Sequence, residues 1–113
     1  MRDQTVVFIG SDRLGAGDNE LGAALMLAAL GALVRLDPAP HAVLFMNAGV
    51  KLCAPGSRGL KDLRDLAARG VDLASCGTCL DWFDLRETLA VGRASTMAEI
   101  LALQNTAGRV IRL

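Results

Sequence analysis

The sequence predicts a single α/β domain over residues 1–113, a mostly parallel sheet of about five strands with helices on its faces. Three observations carry this. Short apolar, largely β-branched runs alternate with longer stretches of helical character. Each change of period is punctuated by glycine, proline or a capping residue. The 113 residues suffice for one core and leave no room for a second.

The elements follow in order. Thr5-Val6-Val7-Phe8-Ile9 is short, apolar and stopped by Gly10, as a buried strand should be. A glycine-rich loop runs to Gly17. Asp18 or Asn19 then caps a helix to about Leu36, which Pro38 and Pro40 prevent from continuing. Ala42 to Met46 reads as a second strand ending at Asn47-Ala48-Gly49. Ser57 opens a second helix with Leu60, Leu63 and Ala67 inward and Lys61, Arg64 and Asp65 outward. Gly70 sits where a left-handed C-terminal cap belongs. Val71 to Ser75 is the third strand and delivers the chain to Cys76, and Leu89 to Gly92 is a small fourth. Thr96 and Glu99 have capping-box spacing for a helix ending near Gly108. Arg109 to Arg112 makes a final edge strand.

Composition excludes several functions. The chain is 52 % hydrophobic and 21 % charged, which rules out disorder. Twelve basic residues balance twelve acidic ones, and only four are aromatic, so neither the charge nor the stacking surface of a nucleic-acid binder is present. Met1-Arg2-Asp3-Gln4 does not open a signal peptide, and the apolar stretch Leu21 to Val34 is short of a membrane span. That stretch lacks any charged or amide side chain, so its outer face is expected to meet another subunit. Three cysteines are too few for a secreted disulfide scaffold, which points to a reducing, cytoplasmic setting with free thiols.

Sites in open α/β sheets form beyond the carboxyl ends of the strands. Four segments qualify: Gly10 to Gly17, Asn47 to Leu52, Cys76 to Leu80, and Gly92 to Ser95. The richest is Cys76-Gly77-Thr78-Cys79. Cys76 leaves its strand where a turn or short helix starts, so the N–H groups of Gly77, Thr78 and Cys79 are expected to face its thiolate and lower its pKa. Gly77 permits the sharp turn and leaves space above the sulfur, and Cys79 lies within reach three residues on. A persulfide carrier, a thioredoxin-like dithiol and a metal site compete for this pair. Thioredoxin folds place CxxC on their first helix, whereas here it comes late. Zinc would need Cys53 and His41 at an irregular spacing. Two inert buried cysteines are the bland alternative, better suited to Cys53.

Lys51 could hold a thiolate or an anionic substrate, or be a solvated surface lysine. The loop from Gly10 to Asp18 fits neither phosphate-binding fingerprint and shapes the fold instead. His41 falls at the far end of its strand, away from Cys76, and Asp81 and Asp84 read as capping and solvating groups around Trp82.

Three ordered motifs, Gly17-Asp18-Asn19-Glu20-Leu21-Gly22, Asn47-Ala48-Gly49-Val50-Lys51-Leu52 and Cys76-Gly77-Thr78-Cys79-Leu80-Asp81, closely resemble the carboxy-terminal domain of YedF-type selenium metabolism proteins. That domain belongs to the DsrE/DsrF-like sulfur-relay superfamily. The resemblance runs from about Val6 to Arg112. It implies a three-layer α/β sandwich, trimers or hexamers, and a strand-end cysteine, matched by Cys76, that accepts and passes on sulfane sulfur or selenium. Cys79 belongs to the narrower YedF-like pattern and would resolve the persulfide or act as a second station. Gly77, Thr78, Asn47, Gly49 and Lys51 would support the site. No cofactor is implied; the partners would be sulfur donors and acceptors, among them a TusA-like carrier. YedF-type proteins carry a TusA-like domain with a Cys-Pro motif before this one, which this sequence lacks, and Cys53 falls outside the pattern. The rival readings are a non-catalytic oligomeric subunit with structural cysteines, and a CxxC dithiol redox protein.

Overall fold

The computed structural model describes residues 4–113; Met1, Arg2 and Asp3, on which the reading of the chain's opening rests, lie outside the described residues. Five strands, β1 (Thr5–Ile9), β2 (Ala42–Phe45), β3 (Asp72–Cys76), β4 (Arg93–Ser95) and β5 (Arg109–Arg112), pair in the order β4-β3-β2-β1-β5. Every pairing is parallel. β5 lies beside β1 with Thr5 opposite Arg109. All strands therefore point their carboxyl ends to one rim.

Helices α1 (Asn19–Val34) and α2 (Leu60–Ala68) cover one face. Met26, Leu30 and Leu33 from α1, with Leu63 and Leu66 from α2, pack onto Val7, Ile9, Val43, Phe45 and Leu73. Strand alternation sends Val6, Phe8, Leu44, Ala74 and Cys76 to the opposite face, where α4 (Met97–Thr106) contributes Ile100. The result is the three-layer α/β sandwich. Among the described residues no helix is long and apolar enough to cross a membrane.

Local chemistry explains the boundaries. The Asp18 carboxylate accepts the Leu21 N–H at 2.8 Å and starts α1. Gly70, at φ 86°, closes α2 with a paired Schellman pattern, its N–H on the Ala67 carbonyl and that of Val71 on Leu66. Thr96 accepts the Glu99 N–H, but the Glu99 carboxylate turns to Arg93 and Ser95 instead of completing the box. On α2 it is Leu66 that is buried, while Ala67 is exposed.

Three expectations are corrected. The strand expected at Leu89 to Gly92 is a loop, and β4 begins at Arg93. Leu89 and Val91 are apolar because they pack on the core as loop residues, with the Ala90 N–H bonded to the Cys53 carbonyl. Gly92, at φ 80°, consequently stands at the amino end of its strand, away from the site rim. The helix expected to open at Ser57 begins at Leu60, and Asn47–Cys53 forms a 3₁₀ helix.

Of α1's outer face only Leu21 and Leu25 are large exposed apolar residues. The α4 side presents more: Met97 and Leu101 are 50 % and 58 % exposed, with Val110 of β5 nearby in the chain.

Candidate functional site

β2 ends at Met46, whose N–H is held by the Ile9 carbonyl at 3.0 Å. Asn47 then takes a left-handed conformation, φ 52°, which asparagine tolerates better than most residues. This turn aims the Asn47 N–H at the Cys79 Sγ, 3.1 Å away. Gly49 fixes the 3₁₀ helix behind it. A Cβ there would stand 2.3 Å from the Ile9 carbonyl oxygen, so only glycine lets the helix lie against the end of β1.

Cys76 closes β3, and α3 (Gly77–Trp82) follows at once. The expected arrangement of N–H groups around Cys76 is not formed. Cys76 caps α3 by its backbone only, and its side chain turns to the α4 face, where it is 2 % exposed. Strand alternation decides this: Ala74 and Cys76 share a face, and Cys76 cannot reach over the helix start. Nor is the space above Gly77 open. A Cβ on Gly77 would meet the Arg86 Nη2 at 2.6 Å and the Ser95 carbonyl oxygen at 3.0 Å. The backbone N–H bonded to a thiol belongs to Asn47, and it serves Cys79.

Cys79 is partly exposed and opens into a cleft of about 260 Å³ formed with Asn47, Thr78, Trp82 and Phe83. Trp82, one turn along α3, is 80 % exposed. Burial pushes the Cys79 thiol above its ordinary value, the Asn47 N–H opposes that rise, and the adjoining Cys76 thiol adds to it. The Lys51 ammonium lies 4.5 Å from the centre of the Phe83 ring, so it walls the thiol cleft indirectly.

Arg86 is a candidate site residue that sequence reasoning missed. The end of α3 is a Schellman turn with Asp84 in the left-handed position, φ 55°. Leu85 and Asp84 donate to the Leu80 and Asp81 carbonyls. The reversed chain brings Arg86 back along α3, where its Nε and Nη2 bind the Asp81 carboxylate at 2.7 and 3.0 Å. Asp81 is thus an ion-pair partner, held below the usual carboxylate range by Arg86. The guanidinium is thereby held against Gly77 and within electrostatic reach of Cys76. The pair is five residues apart, outside helical-face spacing, so only the reversal at Asp84 brings it together.

Cys53 stands apart. It is buried in the α1–α2 core, and desolvation pushes its thiol up to about 12, with the Ser75 hydroxyl opposing. That hydroxyl, itself buried, makes no well-formed hydrogen bond among the described residues. His41 lies where β2 begins, its N–H on the Thr5 carbonyl, at the rim opposite the thiols. No group of three or more histidine, cysteine, aspartate or glutamate side chains among the described residues is arranged to hold a metal.

No protein-family model matches the chain. No curated protein matches it either. Solved structures do. YchN from E. coli is 18 % identical with a TM-score of 0.74, covering 98 % of this chain and 99 % of its own. MTH1491 from Methanobacterium thermoautotrophicum, described as of unknown function, is 23 % identical with a TM-score of 0.69, covering 98 % and 100 %. BT1422 from Bacteroides thetaiotaomicron, also of unknown function, is 19 % identical with a TM-score of 0.65, covering 97 % and 95 %. At these identities the likeness shows the fold alone, and that fold is DsrE-like.

Proposed function

We propose that the chain is a sulfur-relay protein that carries sulfane sulfur, or selenium, on Cys76 and Cys79. The observation that carries this reading is a pair of adjoining free thiols at the carboxyl end of β3, one of them taking the Asn47 N–H at 3.1 Å. The resemblance to the YedF-type carboxy-terminal domain supports it and assigns the carrier role to Cys76. Burial of Cys76 and exposure of Cys79 favour Cys79 as the sulfur that meets donor and acceptor, with Cys76 as the inner station. The step is an exchange with no net oxidation. The Cys79 thiolate attacks the outer sulfur of a donor persulfide, a new S–S bond forms, and the donor leaves as its thiolate. An acceptor thiolate then takes the outer sulfur and restores Cys79. The Asn47 N–H stabilises negative charge on the Cys79 sulfur in both steps.

The test is intact mass of the reduced protein after incubation with a cysteine desulfurase and cysteine. A reducible gain of one sulfur atom is expected in the wild type and in Cys53→Ser, and is lost in Cys79→Ser. Loss only in Cys76→Ser returns the carrier role to Cys76. No gain in any form overturns the relay. The contact between the two thiols also favours a dithiol redox reading, for which the same spectra would show loss of two hydrogens and no added sulfur.

Self-association belongs to this reading. The apolar residues left on α4 and β5 support a homo-oligomer, a trimer or hexamer, built through that side, in the cytoplasm and with protein donors and acceptors as partners. Sedimentation velocity on Leu101→Glu against the wild type tests it; an unchanged monomer in both would end the oligomer proposal.

A further inference from the structure

The carboxyl rim holds a second concavity, a cleft of about 740 Å³ whose two walls carry opposite charge. One wall is Asp12, from the loop after β1, with Glu20 in the first turn of α1. The other is Lys51, in the 3₁₀ helix, with Arg58 just ahead of α2. Ala23 and Ala24 follow Glu20 at helical spacing on the lining side of α1, and their methyls leave open a space that longer side chains would fill.

None of these four charges forms an ion pair among the described residues. The Lys51 ammonium rests on the Phe83 ring, which leaves its charge unneutralised. Elsewhere the chain pairs opposite charges that come within reach, as Arg86 does with Asp81 and Arg93 with both Asp72 and Glu99. Here two acids and two bases line one cleft with no ion pair between them.

We propose that this cleft binds a small zwitterion, a short peptide with a free ammonium group and a free carboxylate. The ammonium group goes to Asp12 and Glu20, and the carboxylate to Lys51 and Arg58. A ligand of one sign would satisfy one wall and meet like charge on the other, and a neutral ligand would leave both walls unpaired. The volume lies within the range of small-molecule sites, and an extended tripeptide spans about 10 Å. The position beyond the carboxyl ends of β1 and β2 is where open parallel sheets take ligands. This assignment shares Lys51 with the wall of the thiol cleft but does not rest on the sulfur-relay reading.

The test uses the full chain, isotopically labelled, titrated with triglycine to about 10 mM while amide resonances are followed, tenfold above a millimolar Kd. Saturable shifts are expected at Ala23, Ala24 and Lys51. N-acetyltriglycine, which lacks the ammonium group, and triglycinamide, which lacks the carboxylate, should each bind about fivefold more weakly, the worth of one half-exposed charge contact. Glu20→Gln should shrink the discrimination against the acetylated peptide, which Asp12 then carries alone, and Arg58→Gln that against the amide, left to Lys51. Equal binding of the three peptides, or no saturable shift along the cleft, overturns the proposal.

Discussion

Replacing Gly49 with alanine should destabilise the protein by about 2–4 kcal/mol, while the same change at Gly31 should stabilise it. The added Cβ at Gly49 would lie 2.3 Å from the Ile9 carbonyl oxygen and 3.1 Å from its carbon, where ordinary contact begins at 3.4 Å. Both are backbone atoms of the central sheet, so no rotamer change relieves the overlap, and the 3₁₀ helix must retreat by about 1 Å. Overpacking of this kind costs roughly 1–3 kcal/mol. The Ile9 oxygen also accepts the Met46 N–H at 3.0 Å, and losing that bond adds about 1 kcal/mol. At Gly31, within α1, the nearest atom to a new Cβ is the Asp62 carboxylate at 3.7 Å, an ordinary contact. There alanine's helix preference contributes up to about 1 kcal/mol. Urea unfolding of the two variants beside the wild type reads both signs. Calorimetry should put the Gly49→Ala midpoint roughly 8–32 °C lower, at about 4–8 °C per kcal/mol for a domain near this size. A Gly49→Ala protein within about 0.5 kcal/mol of wild type would refute the close-approach reasoning.

Cys53 makes stability depend on alkaline pH. Its thiol is raised from 9.0 to about 12 in the folded protein, so the folded state keeps a proton that the unfolded chain releases. The contribution is complete below pH 9 and falls by roughly 1.4 kcal/mol per pH unit as pH rises toward 12. In Cys53→Ala that part of the slope should vanish, read from denaturation midpoints across the interval. Ser75→Ala should stabilise by about 1 kcal/mol, because a buried hydroxyl without a well-formed partner is removed; a loss of similar size in chemical denaturation would show that the hydroxyl is bonded after all. Arg86→Gln should slow sulfur loading about tenfold where Cys76 is the sulfur loaded and leave the rate unchanged where it is Cys79, because the guanidinium stands within electrostatic reach of Cys76. Timed intact-mass measurement reads the difference, and the unchanged rate is the outcome expected for loading at Cys79.

The sequence was most legible where one residue's chemistry decides a boundary. Gly10 after a β-branched run, Asp18 at a helix start and Gly70 at a helix end each act locally, and the strands and helices they bound stand close to where they were predicted. It was least legible where a boundary depends on a distant partner. β4 is a polar edge strand, and Arg93 is held there by Asp72, twenty-one residues earlier, and by Glu99 of the following helix. Apolar Leu89 and Val91 looked more like a strand than Arg93-Ala94-Ser95 did. At the site, the nearness of Cys76 and Cys79 follows from their spacing. Which sulfur is reachable depends on the pleat of β3 and on the left-handed turn at Asn47, neither of which leaves a mark in composition or period.

The pairing of β5 with β1 sets an order on the birth of the molecule. Thr5 lies beside Arg109, so β1 waits for every element from α1 to α4 before it gains its second neighbour. Until Arg109–Arg112 leaves the ribosome, one side of β1 presents free N–H and carbonyl groups to any passing chain. A nascent protein stalled a few residues short would have its helices and thiols assembled and yet carry apolar β1 as an open edge of its sheet. Such a chain would be prone to aggregation for a reason unrelated to its core.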